Sequence, residues 1–152
     1  MNVMRVFFML VASLLGFFSQ SSFGQETPIG AWKTIDDATG KPRALVRISE
    51  VNGALQGKIE KLFLEPDEPQ NPKCIPCTDA RKDQPIVGMT IVSGLKKGAD
   101  GTVWSGGEIL DPKNGKVYKS KATLVDGGRK LEVRGYVGIA LFGRTQTWVR
   151  EQ

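Results

Sequence analysis

The sequence predicts an all-β protein, about eight antiparallel strands in an up-and-down meander that closes into a barrel, with one long Pro-rich loop. Three observations carry this. Apolar and polar residues alternate with a period of two along most of the chain, as a sheet with one buried face requires. Clusters of Asp, Asn, Gly and Pro separate the alternating runs. The connections are mostly short, so successive strands pair as neighbours. Closing such a sheet removes its edges, and about eight strands enclose room for side chains or one small ligand. A half-open sheet or a sandwich is the competing architecture.

The strands follow in order. Trp32 to Ile35 opens the series. Arg43 to Val51 sets Ala44, Val46 and Ile48 on one face, and Leu55 to Leu64 sets Leu55, Gly57, Ile59, Lys61 and Phe63 against Gln56, Lys58 and Glu60. Ile86 to Ser93 and Val103 to Leu110 are next. Lys116 to Val125 sets Tyr118, Ser120, Ala122 and Leu124 against Val117, Lys119, Lys121 and Thr123. In Lys130 to Val137, Leu131, Val133, Gly135 and Val137 alternate with Glu132, Arg134 and Tyr136; Ala140 to Arg150 completes the set. Asn52-Gly53 is the strongest hairpin signal between two of these runs. Asp37 to Pro42, Gly98 to Gly101, Asp111 to Gly115 and Asp126 to Gly128 mark further turns, and Gly106-Gly107 inside a strand pattern suggests a bulge.

The first residues read as a secretory signal peptide. Arg5 precedes a nearly unbroken apolar run from Val6 to Phe18, and Ser22-Phe23-Gly24 offers small residues for cleavage after Gly24. The alternative is a retained anchor, but the run is shorter than the roughly 20 residues a membrane-spanning helix needs. This divides the chain into a signal peptide, residues 1–24, and one domain, residues 25–152, expected in the periplasm or secreted.

The formal net charge is +5, with Lys and Arg scattered rather than striped, so no nucleic-acid partner is expected. There is no histidine, which removes the commonest general base and metal ligand and excludes Ser-His-Asp and Cys-His hydrolases. Asp36-Asp37, Asp67-Glu68 and Asp111 fall in or beside turns and form no evident acid–base pair. No cofactor and no catalytic residue are expected.

Residues 65–85 break the strand rhythm. Five prolines in this stretch limit its freedom, so it should follow a preferred path, either as a lid or rim at one end of the barrel or as a stiff surface excursion. It carries Cys74-Ile75-Pro76-Cys77. In an exported protein the default for this pair is a structural disulfide. Thiol redox chemistry would need a helix start to activate the thiol, and zinc would need two further ligands that must be carboxylates such as Asp79. No metal site is expected.

Gly30, Trp32, Trp148 and Arg150 suggest a closed barrel floor, in which a glycine admits a tight turn, a tryptophan plugs the end, and a late arginine stacks on the indole. Ordinary core tryptophans and a solvated arginine are the plainer alternative. Arg144 and Gln146 share a face of the last strand with Trp148 and Arg150. If that face turns inward, they are candidate ligand anchors, as are Arg134 and Tyr136 on the preceding strand.

These residues together resemble a bacterial exported family, domain of unknown function 2147. The matching stretches are Gly30-x-Trp32, Gly57-x-Ile59, Asn71-Pro72, Pro85-x-x-Gly88, Trp104-x-Gly106-Gly107 and Asp111-Pro112-x-x-Gly115-Lys116-x-Tyr118. The most specific is the ending, Arg134-Gly135-Tyr136 through Gly143-Arg144-Thr145-Gln146-Thr147-Trp148-x-Arg150. The resemblance implies a lipocalin-like, calycin-type barrel and no established activity. Three functions follow: binding of a small hydrophobic or amphipathic ligand in the barrel; a side-chain-filled barrel that binds an envelope protein; and thiol redox chemistry at Cys74 and Cys77.

Overall fold

The computed structural model describes residues 27–152; the expected signal peptide and its cleavage site lie outside the described residues. Eight strands run β1 Gly30–Ile35, β2 Pro42–Val51, β3 Ala54–Leu62, β4 Thr90–Lys97, β5 Val103–Asp111, β6 Lys116–Val125, β7 Lys130–Tyr136 and β8 Gly143–Arg150. Each pairs antiparallel with the next, and β8 returns to β1 through Trp32–Arg150, Lys33–Val149 and Thr34–Trp148. The sheet is a closed barrel.

Alternation decides which side chains enter it. Trp32, Val46, Ile48, Leu55, Ile59, Val92, Leu95, Trp104, Ala122, Leu131, Val133 and Trp148 are all buried in one apolar cluster. Asn52 and Gly53 both take positive φ, 51° and 77°, the conformation a tight two-residue hairpin needs to match strand twist. A register shift between Trp104 and Gly107, with Gly106 at φ 77°, forms the bulge expected there.

Most strand ends fall within two residues of the sequence reading, but β4, β8 and the facing of β3 differ from it. β4 lies about one turn of chain later than Ile86 to Ser93, because Ile86 donates its N–H to Pro72 and Gly88 turns at φ 89° before pairing begins. β8 starts at Gly143, since the apolar residues before it belong to a turn. A register shift after Leu45 leaves Glu60 as the extra residue of β3, so Leu62 faces Ala44 and the core while Lys61 is exposed. The alternation through Lys61 and Phe63 is thereby broken.

The connection from β3 to β4 contains its own small hairpin. Lys73 bridges Pro85, Cys74 donates to Gln84 at 2.9 Å, and Asp83 donates to Cys74 at 2.9 Å. Cys74 and Cys77 are joined by a disulfide, and both are buried. Cys74 Sγ lies 3.6 Å from the Pro112 carbonyl, and the Pro76 carbonyl occupies the space a Gly115 side chain would need. Leu110 points outward beside exposed Val117 yet is only 2% exposed, so the disulfide segment roofs the outer wall there. Arg43 holds the loop's first part through two hydrogen bonds to Glu68, of 2.9 and 3.1 Å. These contacts run along the rim and outer wall rather than across the mouth.

Candidate functional site

The meander puts the chain's turns at two ends. The β2–β3, β4–β5 and β6–β7 turns share one end with the start of β1 and the end of β8; the other four connections share the opposite end.

The first end is closed. Gly30, at φ 134°, has no side chain where Arg150 Nη1 passes, 2.9 Å from the position a Cβ would take. The guanidinium lies over Trp32, 4.2 Å from the ring centre. It donates to the carbonyls of Gly128, Thr27 and Ile29 at 2.7, 2.7 and 3.0 Å. Burial lowers its pKa from the ordinary arginine value. Trp32 is fully buried, and its Nε1 donates to the Pro28 carbonyl at 2.7 Å. The Trp32 indole N–H and all three Arg150 nitrogens are satisfied within the protein, which assigns this pair to structure.

The second end is open. On the inner face, Thr34, Leu62, Ile109, Tyr118, Gly135 and Gln146 are only partly buried, whereas the inner residues below them, Leu124 beside the β6–β7 turn apart, are sealed. They line a cup. Gly135 makes room in this wall for its neighbours on β5 and β6: a Cβ there would sit 3.3 Å from Ile109 Cγ2 and 3.5 Å from Tyr118 Cβ. In the wall below, Ser120 pairs with Gly107 on one side and Gly135 on the other.

Two buried polar atoms, Ser120 Oγ and Trp148 Nε1, have no hydrogen-bond partner among the described residues. Ser120 is 0% exposed and Trp148 1% exposed. An unsatisfied buried polar group costs about 1–3 kcal/mol, so each of these two inner-face atoms calls for a hydrogen-bond partner. Gln146, opposite Val133, adds an amide that makes no side-chain hydrogen bond among the described residues. The set can orient a bound molecule; it contains no base beside a nucleophile.

The sequence-derived anchors separate here. Gln146 lies on the inner face. Arg144 shares that face but sits at the rim, exposed, with its guanidinium on the Asp37 carboxylate of the β1–β2 turn; that hydrogen bond, first among the causes, raises its pKa. Arg134 and Tyr136 are corrected to the outer wall, because the inner face of β7 is Leu131, Val133 and Gly135. Arg134 donates to the Ala140 and Leu141 carbonyls and to Thr145 Oγ1, closing a shallow outer groove lined also by Lys121, Thr123 and Glu132. Sequence reasoning missed Ser120 and Trp148 Nε1 as polar groups of the cup. The available signal was a serine on the inward register of β6, between Tyr118 and Ala122.

A wider groove lies at the rim between β3 and the long loop, lined by Lys41, Pro42, Lys61, Leu62, Phe63 and Val87. It is open to solvent on a large part of its surface and joins the cup's edge at Leu62.

No curated protein matches this chain. Among solved structures, protein HP1028 of the human pathogen Helicobacter pylori, described as belonging to the lipocalin family, superposes with a TM-score of 0.68. The match covers 82% of each chain at 21% identity, a likeness of fold. The family model of an uncharacterized protein conserved in bacteria, DUF2147, matches residues 30–150. With the barrel, its closed floor and its open cup in place, the chain belongs to the DUF2147 family and has a lipocalin-like fold.

Proposed function

We propose that this protein is an exported carrier or sensor that holds a small, partly apolar molecule in the cup at the open end. The observation that carries the reading is the pair of unpartnered donors, Ser120 Oγ and Trp148 Nε1, on the same inner face as half-buried Leu62, Ile109 and Tyr118. Small-molecule sites combine such an apolar lining with a few placed polar groups. Trp32, Trp104 and Trp148 fill the lower barrel, so the ligand is short or enters only partway. An oxygen acceptor on it would meet Ser120 and Trp148, with Gln146 as a third anchor and Arg144 at the mouth.

The filled lower half also supports the second reading, an envelope-interaction module with no small ligand. Native mass spectrometry of the protein purified from a bacterial host without reductant separates the two. The carrier reading expects an adduct that extracts into organic solvent and is lost in Ser120→Val and Gln146→Leu. A bare mass, with Trp fluorescence unmoved by a series of long-chain carboxylates and alcohols, would favour the interaction module.

A further inference from the structure

The barrel's stability does not account for the β7–β8 turn. Leu141, Phe142 and Val137 are 75, 70 and 69% exposed, the three most exposed large apolar residues among those described, and Ile139 is 59% exposed. Val117 extends the patch: it lies on the outer face of β6, two residues beyond the Lys119–Tyr136 pair, level with Gly138. Contiguous apolar exposure of this kind marks an interaction site.

The turn is braced in this state. Arg134 Nε donates to the Ala140 carbonyl at 2.5 Å and Nη2 to the Leu141 carbonyl at 3.1 Å. Phe142 donates its N–H to Ile139 at 3.1 Å, and Gly138 takes φ 73°. The guanidinium grips the backbone of the turn from the wall side, which leaves the apolar side chains directed outward.

Beside it runs a band of cations. Lys113 lies in the β5–β6 turn and Lys116, Lys119 and Lys121 on β6, next to β7. None of the four is in an ion pair among the described residues. Asp111 faces Lys116, Glu108 faces Lys119 and Glu132 faces Thr123 across the strands, so the band keeps an excess of positive charge. Around the barrel, the outer wall of β2 and β3 carries exposed Arg47, Lys58 and Glu60, and such a wall stays in water.

We propose that the 137–142 turn is a membrane-docking tip: Val137, Ile139, Leu141 and Phe142 enter the headgroup–acyl boundary of an anionic bilayer, and Lys113, Lys116, Lys119 and Lys121 rest on its phosphates. An apolar edge next to a basic face is the combination that binds such surfaces. Charge selects lipid over a second copy of this chain, because self-association through the tip would bring two basic bands together. The turn belongs to the open end, so docking brings the mouth of the barrel to the bilayer. Docking does not depend on what the cup contains.

Flotation of the protein with vesicles of phosphatidylglycerol and phosphatidylethanolamine, against vesicles of phosphatidylcholine alone, tests it. The expected result is binding to the anionic vesicles that weakens with salt, falls at least tenfold in Leu141→Ser/Phe142→Ser, and falls in Lys119→Gln/Lys121→Gln. A Phe142→Trp variant should gain a blue-shifted emission component on the anionic vesicles that the parent protein lacks. Absence of flotation, equal flotation of the Leu141→Ser/Phe142→Ser variant with native thermal unfolding, or an unshifted emission from the introduced indole overturns the proposal. So does a sedimentation dimer that this double variant abolishes in the absence of vesicle binding.

Discussion

Arg150 stacks on Trp32 while its three nitrogens hold the carbonyls of Thr27, Ile29 and Gly128. One side chain from the last strand therefore ties together the N-terminal segment, the first strand and the β6–β7 turn. Arg150→Ala removes the stacking and leaves three carbonyls short of a donor; the expected loss is about 3 kcal/mol. Arg150→Lys keeps a charge but cannot span three acceptors with a planar fork, so it should recover less than half of that. Urea unfolding followed by Trp fluorescence measures both, and an unchanged midpoint for the alanine variant would remove the floor's structural role.

The approach of β5 to β4 depends on Gly107. A Cβ there would collide with the Ser93 carbonyl oxygen and lie 2.8 Å from the Leu95 nitrogen, backbone atoms that cannot step aside. Gly107→Ala should cost about 3 kcal/mol, in the upper range for overpacking. Gly106→Ala is the informative neighbour. At φ 77° with nothing near its missing side chain, it should cost roughly 1 kcal/mol from backbone conformation alone. Equal costs in thermal unfolding would show that conformation, not close approach, governs the bulge.

How far the sequence reveals this molecule depends on the range of the interaction concerned. Strand period and turn chemistry are local, so β6, the Asn52-Gly53 hairpin and the eight-strand count are legible directly. Bulges are legible only where glycine marks them, as at Gly106-Gly107: the extra residue at Glu60 reverses the facing of Lys61 and Leu62, and nothing in the Glu60-Lys61-Leu62 run announces it. The start of β8 is obscured for the opposite reason. Ala140-Leu141-Phe142 has the composition of a strand but serves as an exposed turn. The facing of Arg134 and Tyr136 was available in principle, since Leu131 and Val133 already mark the inner face of β7. The pairing of Arg144 with Asp37, far apart in the chain, exists only because β8 closes on β1.

Burial makes the Cys74–Cys77 disulfide a local staple. It closes a short loop, for which chain entropy gives about 2 kcal/mol; the two cysteines are 0% and 1% exposed, and Cys74 Sγ packs against the β5–β6 turn at Pro112. Cys74→Ala/Cys77→Ala should lower stability by about 2–4 kcal/mol once the lost packing is added. The far-UV circular dichroism of the barrel should persist, because all eight strands pair without the loop. Loss of that spectrum in the double variant would make the staple a condition of folding the barrel.

Arg81 joins the loop to β4 and depends on one carboxylate. Its Nη2 lies 2.5 Å from Asp79 Oδ2, its backbone N–H donates to Oδ1 at 2.9 Å, and its Nη1 donates to the Thr90 carbonyl at 3.1 Å. The guanidinium hydrogen bonds, and after them the backbone N–H, hold the Asp79 carboxyl down at about 2. In an unfolded chain the same group titrates near ~3.9. The folded pKa is depressed, so the ionised form supports the loop fully above about pH 4, and that support is lost as pH falls toward 2. Asp79 is solvent-exposed, so screening keeps the energetic effect small and local. An NMR titration of the Arg81 and Thr90 amides should show a shared midpoint near pH 2, absent in Asp79→Asn. A shared midpoint near about pH 4 would mean that Arg81 does not hold the carboxylate in solution. The Thr90 attachment would then have to rest on the guanidinium alone.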